Sequence, residues 1–422
     1  MDAFEIGNMT QPTCELLFQS RKNSFTFLRF AFAMLVIIGH SFVLGGFGDE
    51  PLTISGVITG REFAVQAFFA ISGFLIAKSL ATDPSLWRFV WHRIFRVYPA
   101  FLLFLLLAAF ALVPWAIERQ FPSVASYWDR IPTHYISQNW ALQCGEYQVV
   151  GVFSSNPNGA INGSLWSIKF EAYFYVSVAA CVWASRTKVL LTILAATVSV
   201  FAFFLLGWSL SGVLAVLMLG AAVVRAPYRL PALFAFVWIA SLTRILEPRI
   251  LAMIPVDIRW VIWPAFDRIF EATSLPFIGG GLCWQYRGRL PWTWLSGGIA
   301  ALVLCVAAQY DLWLLVMPVA LPYLVLVCAF RLPFHAFDRL GDYSYGLYIF
   351  SFPVQQTLFN LGVHRNGVFV YAAVAIFVTL ALAVVSWYLV EKPCLALGRK
   401  VGKWRAPSKP SSETRSTLVE VA

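Results

Sequence analysis

Runs of about twenty mostly apolar residues, the length that crosses a bilayer as an α-helix, recur along this 422-residue chain, separated by short segments in which Lys and Arg cluster. A single water-soluble core cannot hide so much apolar surface, because cores stop growing near ~250–300 residues. Apolar residues make up 59% of the sequence and charged ones 12%, against roughly 45–50% and about 25% in a soluble domain. The excess must face lipid. A formal net charge of +10 would suit nucleic acid if it lay along one face. Placed between apolar runs, it follows the positive-inside rule instead. The expectation is an all-α, polytopic integral membrane helix bundle with no nucleic-acid partner.

With Lys and Arg marking the loops, spans fall at 26–46, 63–80, 98–117, 165–185 and 189–208, and again at 269–286, 290–308, 312–330, 343–361 and 368–390. Between them, 210–224 and 230–242 are apolar but short, and read as a tilted hairpin turning at Arg225 and Arg229. Residues 1–23 form a polar cytoplasmic segment without the apolar core and cleavage site of a secretory leader. The loop holding Arg88, His92, Arg93 and Arg96 is placed inside, and the polar stretch 118–163, rich in Pro, Ser, Asn and Trp, outside as a partly ordered loop. The membrane domain covers 24–393. Residues 394–422 read as a basic, disordered cytoplasmic tail, so both termini face the cytoplasm. The seven cysteines show neither a disulfide framework nor metal-ligand spacing, and no metal or bound cofactor is expected.

An ionisable side chain inside a span costs ~2.5–3.5 kcal/mol at the helix centre, which makes each a functional candidate. Arg29 and His40 are the ionisable residues of the first span. Eleven positions are close to three helical turns, so the two share one face roughly 16 Å apart. The plainer alternative has Arg29 snorkelling to headgroups and His40 as a hydrogen-bonded packing residue. Glu171 lies about one and a half turns inside the fourth span, at a depth like that of His40, where it could orient the imidazole. A local pair with Lys169 is the alternative. Arg93 and Arg96, one turn apart, suit phosphate oxygens, although a basic loop is also what topology alone requires. Ser72 lacks the elbow of a hydrolase nucleophile, and it and Gly73 read as a close helix contact.

Arg29 with His40, the Phe68 to Leu75 run, Arg93 to Pro99, Ser164 to Glu171, Gly341 to Tyr348 and Ser386 to Pro393 resemble, in order, the recurring segments of the acyltransferase-3 family of bacterial membrane O-acyltransferases, which acetylate O-antigen, exopolysaccharides and Nod factors. The resemblance covers residues 24–393. It implies about ten core helices, ten to twelve in all, in the inner membrane, a cytoplasmic acyl-CoA donor such as acetyl-CoA, and a hydroxyl of a cell-surface or lipid-linked carbohydrate as acceptor. It marks Arg29 and His40 as the family's functional pair and Glu171 as part of its span-four motif. Ser351 stands where many members carry histidine, and the stretch 171–279 is longer than the family's usual spacing.

Acyl transfer from a thioester needs a base for the hydroxyl, a hold on coenzyme A and help for the oxyanion. Arg29, Arg93 and Arg96 are assigned to the donor, and His40 and Glu171 to catalysis. Direct transfer and an acyl-enzyme route both remain open, as does the oligomeric state. The rival reading is a transporter or flippase of a sugar-lipid, which would be expected to show inverted repeats and broken helices.

Overall fold

In the computed structural model the described residues are 23–83, 85–120, 131–142, 147–149, 152–184 and 268–403. They are almost entirely helical, with one two-stranded hairpin. The first helix, α1 (Phe25–Leu44), follows Ser24, whose hydroxyl donates to Leu332 O at 2.7 Å. It ends at Gly45 and at Gly46, which takes a positive φ of 73°. A hairpin of β1 (Thr53–Ile54) and β2 (Ile58–Thr59) leads into α2 (Gly60–Thr82). There Thr59 and Glu62 close a capping box, each side chain taking the other's backbone N–H, which satisfies donors that a helix start leaves unpaired.

The next helix, α3, runs Leu86–Leu107 and continues through a π turn at Ala108–Leu112 into α4 (Val113–Gln120). The expected cytoplasmic loop is therefore helix: Arg88, His92, Arg93 and Arg96 occupy the first turns of α3 rather than a connection. Ser85 accepts the Arg88 N–H, Asp83 pairs with the Arg88 guanidinium at 2.5 Å, and Phe89 and Val97 are buried beneath. Basic residues on one face with apolar ones on the other make an amphipathic helix start, which a search for uncharged runs misses. Within 118–163, α5 (Ile131–Asn139) and the turns of 152–163 pack against α3, burying Tyr135, Phe153 and Ile161.

Then follow α6 (Leu165–Ala184), α7 (Arg268–Gln285), α8 (Trp294–Gln309), α9 (Trp313–Arg331), α10 (Ser344–Asn360) and α11 (Val368–Ser386). A second π turn, Trp387–Glu391, joins α11 to α12 (Lys392–Lys403). The chain thus stays helical ten residues past Pro393, where the tail was expected to begin. The expected span at 189–208 and the hairpin at 210–242 lie outside the described residues. By length and composition, five helical stretches among the described residues can cross a membrane: Phe25–Leu44, Gly60–Thr82, Leu86–Glu118, Trp313–Arg331 and Val368–Gly402. This is a multi-pass membrane architecture.

Helix α1 lies at the centre. Phe25 and Leu28 pack towards α2 and α9, while Ala33 and Ile37 pack towards α10 and α11. Small residues bring α2 and α7 into backbone contact: a Cβ on Gly73 would stand 1.8 Å from Phe277 O, and one on Gly280 would stand 2.0 Å from Ala70 O. Lipid tails are as apolar as the helices, so such close packing is what associates helices in a bilayer. Gly73→Ala should destabilise the protein by about 1–3 kcal/mol or more through overpacking. Gly298→Ala, mid-helix with nothing within 4 Å of the new carbon, should be neutral or stabilising by about 0.5–1 kcal/mol. Thermal unfolding of the purified variants in detergent checks both, and equal melting temperatures would contradict the contact.

Candidate functional site

A cavity of about 550 Å³ opens among α1, α2, α3, α6, α10 and α12. Residues Phe68, Ser72 and Leu75, at i, i+4 and i+7 of α2, face it, the spacing of one helical stripe. Five Arg or Lys side chains line it: Arg29 from α1, Arg93 and Arg96 from α3, and Lys392 and Arg399 from α12. Glu171 of α6 is the carboxylate in the same lining. Such a surplus of cations in a concave site favours an anionic ligand.

The charges are arranged by a residue that the sequence reading treated only as part of a packing segment. Asp342, in the loop before α10, takes one Nη of Arg29 and one Nη of Arg96 on the same oxygen, each at 2.7 Å. Its other oxygen accepts the Ser344 hydroxyl at 2.5 Å and the Ser344 N–H at 3.3 Å. Burial alone would push the Asp342 carboxyl up. The two guanidinium groups and the Ser344 hydrogen bonds outweigh it and hold the group at about 2. Arg93 is placed differently: its guanidinium lies over the rings of Phe89 and Tyr175, at 5.6 and 5.4 Å from their centroids, and its buried Nε meets no acceptor.

The structure gathers Arg29, Arg93, Arg96 and Glu171 around one cavity, and leaves His40 outside its lining. Glu171 accepts a hydrogen bond from Tyr175, one turn on in α6. Lys169, the alternative partner, lies over the Tyr173 ring instead, at 5.8 Å. Among the described residues no hydrogen bond or ion pair joins Glu171 to His40. Equal depth is not equal direction, and Glu171 faces the arginines. His40 packs edge-on to Phe352, with centroids 5.5 Å apart, and its buried Nδ1 has no partner. Phe352 stands one turn beyond Tyr348 on α10, and Tyr348, held at 2.6 Å by Ser167, lines the cavity. Phe352, against which His40 packs, lies outside the cavity's lining as His40 does. The described residues hold no cluster of three or more His, Cys, Asp or Glu able to bind a metal.

Asp342, Tyr345, Tyr348, Lys392 and Arg399 were missed as site residues. The signal for Asp342 was a lone carboxylate at the mouth of a span. For the α12 pair it was a basic stretch that continues a helix. Removing the carboxylate leaves two partly buried cations face to face, so Asp342→Asn should cost about 3–5 kcal/mol of stability. The depressed carboxyl contributes stability above its unfolded value near 4, and loses it as pH falls from there towards 2. The variant should therefore unfold earlier than the parent at pH 7, with the gap closing in acid. An unchanged melting temperature at pH 7 would show that the triad is not a structural tie.

Comparison with known proteins follows the same lines. The chain is 26% identical over 391 residues to Nodulation protein 10 of Rhizobium leguminosarum bv. viciae, covering 89% of this chain and 94% of that protein. It is 24% identical over 383 residues to an O-acetyl transferase of Shigella phage Sf6, covering 88% and 96%. No solved structure matches it. A family model described as an acyltransferase domain matches residues 22–388. With a match over that much of its length, a helical membrane architecture and a cationic cavity inside it, the chain belongs to the acyltransferase-3 family and is an acyltransferase.

Proposed function

We propose that the protein is a bacterial inner-membrane O-acetyltransferase that moves an acetyl group from cytoplasmic acetyl-CoA to a hydroxyl of a cell-surface or lipid-linked carbohydrate. The observation that carries this reading is the cavity itself, with five basic side chains in its lining; His40, whose Nδ1 has no partner, packs against Phe352, one turn along α10 from Tyr348 of that lining. The names of the two relatives, a nodulation protein and an O-acetyl transferase, favour an acetyl group and a glycan acceptor.

In this reading the coenzyme's phosphates meet Arg96, Lys392 and Arg399 at the basic end, with Arg29 and Arg93 in the same lining. The pantetheine arm runs past Glu171 and Tyr348, and the roughly 16 Å from Arg29 to His40 along α1 is of the order of its extended length. The basic clusters favour the cytoplasm for this end in this reading, with both termini on that side and the loop 118–163 on the far side with the acceptor. His40 takes the proton of the acceptor hydroxyl, the alkoxide oxygen bonds to the thioester carbon, the C–S bond breaks, and the coenzyme leaves as the thiol after taking up that proton. The Nδ1 of His40, which has no hydrogen-bond partner, is the atom that takes the proton in this scheme. Glu171, hydrogen-bonded to Tyr175, is a positioning residue of the donor cavity in this scheme.

His40→Ala should lower single-turnover acetyl transfer by about 10²–10⁴-fold, the usual worth of a general base, while leaving acetyl-CoA affinity unchanged by calorimetry. Arg29→Ala should weaken acetyl-CoA binding by about 10- to 100-fold, the loss of one charged hydrogen bond, and Arg29→Lys should recover part of it. Wild-type transfer in the first variant, or wild-type affinity in the second, would remove that residue from its role.

A further inference from the structure

Tyr345 of α10 lines the cavity and is 9% exposed, and its phenol oxygen is shut off from solvent and meets no hydrogen-bond partner. A buried O–H left unpaired costs the full desolvation penalty of the group, so an interior seldom holds one without a reason. The carboxylate in the same lining does not relieve it, because Glu171 takes the Tyr175 hydroxyl instead.

Tyr348, three positions on, lines the same cavity in the opposite hydrogen-bonding state. Ser167 directs its own hydroxyl proton to Ser164 O at 3.1 Å, so the 2.6 Å contact between Ser167 and Tyr348 is donated by Tyr348. The Tyr348 O–H is thereby used, and what its oxygen has left to offer is acceptance. The lining therefore presents a free donor at Tyr345 and a free acceptor at Tyr348, on residues about 4.5 Å apart along the helix axis. Much of the remaining wall is apolar, with Val65, Phe68, Ile71 and Leu75 from α2 and Ile168 from α6. Apolar walls with a few placed polar groups hold a ligand in one orientation when its own polar groups match them.

The pantetheine arm of coenzyme A has this character. It alternates short carbon links with two secondary amides, each carrying one C=O acceptor and one N–H donor. The β-alanine unit between those amides makes their repeat somewhat longer than the ~3.3–3.6 Å per residue of an extended peptide, which is the spacing of the two tyrosines.

We propose that Tyr345 is a donor-binding residue whose hydroxyl donates to an amide carbonyl of the pantetheine arm, while the Tyr348 oxygen accepts an amide N–H one turn further along α10. The assignment rests on the reading of the cavity as the acetyl-CoA site, and deepens it. Arginines and lysines hold phosphates on any nucleotide, whereas this pair recognises the arm that bears the thioester. Fixing the arm at two points also fixes how far the thioester reaches beyond Tyr348, and such positioning is a large part of what a bound reactant gains.

The test uses the purified full chain in detergent and calorimetric titration with two probes, coenzyme A and adenosine 3′,5′-bisphosphate, which carries phosphates and base but no arm. Tyr345→Phe removes one oxygen and keeps the ring. It should weaken coenzyme A binding by about 3- to 10-fold, the worth of one neutral hydrogen bond, and leave bisphosphate affinity within twofold of wild type. Its ligand-free melting temperature should equal or exceed that of wild type, because the unpaired buried hydroxyl is gone. Tyr348→Phe should likewise weaken coenzyme A and spare the bisphosphate. The proposal is overturned if coenzyme A affinity stays within twofold of wild type in either variant, or if both probes weaken together. It is equally overturned if Tyr345→Phe lowers the ligand-free melting temperature, which is the pattern of a structural hydroxyl. If the wild-type protein binds neither probe, the coenzyme reading of the cavity itself fails, and the role of Tyr345 with it.

Discussion

Two guanidinium groups share one oxygen of Asp342, and the basic end of the bundle is arranged around that contact. Arg29 comes from α1, Arg96 from α3, and Asp342 leads into α10. An isolated charge kept from water costs several kcal/mol, and only a partner with good geometry offsets this. One carboxylate between two cations holds three helices in register, yet leaves one positive charge in excess. The Ser344 hydrogen bonds occupy the other carboxylate oxygen, so Asp342 cannot turn away. What remains is a rigid, net positive lining, built before any ligand arrives, and such preorganisation lowers the cost of binding an anion.

The rest of the packing works around this end. Glycines at 73 and 280 let α2 and α7 touch through their backbones, which turns the opposite stripe of α2, with Phe68, Ser72 and Leu75, towards open volume. On the far side, Gln356 donates to Asn158 O and Ala160 O, and Asn162 donates to Ile349 O. The segment 152–163 is thereby fastened to α10 beside Phe352. The amide nitrogens of Gln356 and Asn162 donate to backbone carbonyls, while Gln356 Oε1 accepts from Asn156 and Asn162 Oδ1 from the Ser164 N–H, which is how polar groups survive in an apolar interior. The same helix therefore carries Asp342 at its start, Tyr348 in the cavity wall and Phe352 against His40, and it links the two ends of the site.

Much of this was legible in the chain. The membrane class and the family follow from apolar run lengths and a few polar residues within them, and Arg29, Arg93 and Arg96, read as one donor group, line one cavity, which Glu171, read with His40, also lines. Three things were not. The helix start at Leu86 was hidden because Arg88, Arg93 and Arg96 break an apolar run while leaving its buried face intact. The partnership of Asp342 with Arg96, 246 positions apart, has no local signature. The relation of His40 to Glu171 was misjudged because counting turns gives depth along the bilayer normal and says nothing of azimuth.

The central claim is that one donor molecule occupies the cavity with its phosphates at the basic end and its sulfur turned towards Phe352 and His40. An electron cryomicroscopy map of the protein with the non-reactive thioether analogue of acetyl-CoA tests it most directly. The account requires phosphate density against Arg96, Lys392 and Arg399, a pantetheine arm passing Glu171 and Tyr348, and the analogue's sulfur nearer His40 than Asp342. Nucleotide density on the side of the 152–163 segment, or an arm that leaves the bundle short of Tyr348, would contradict it.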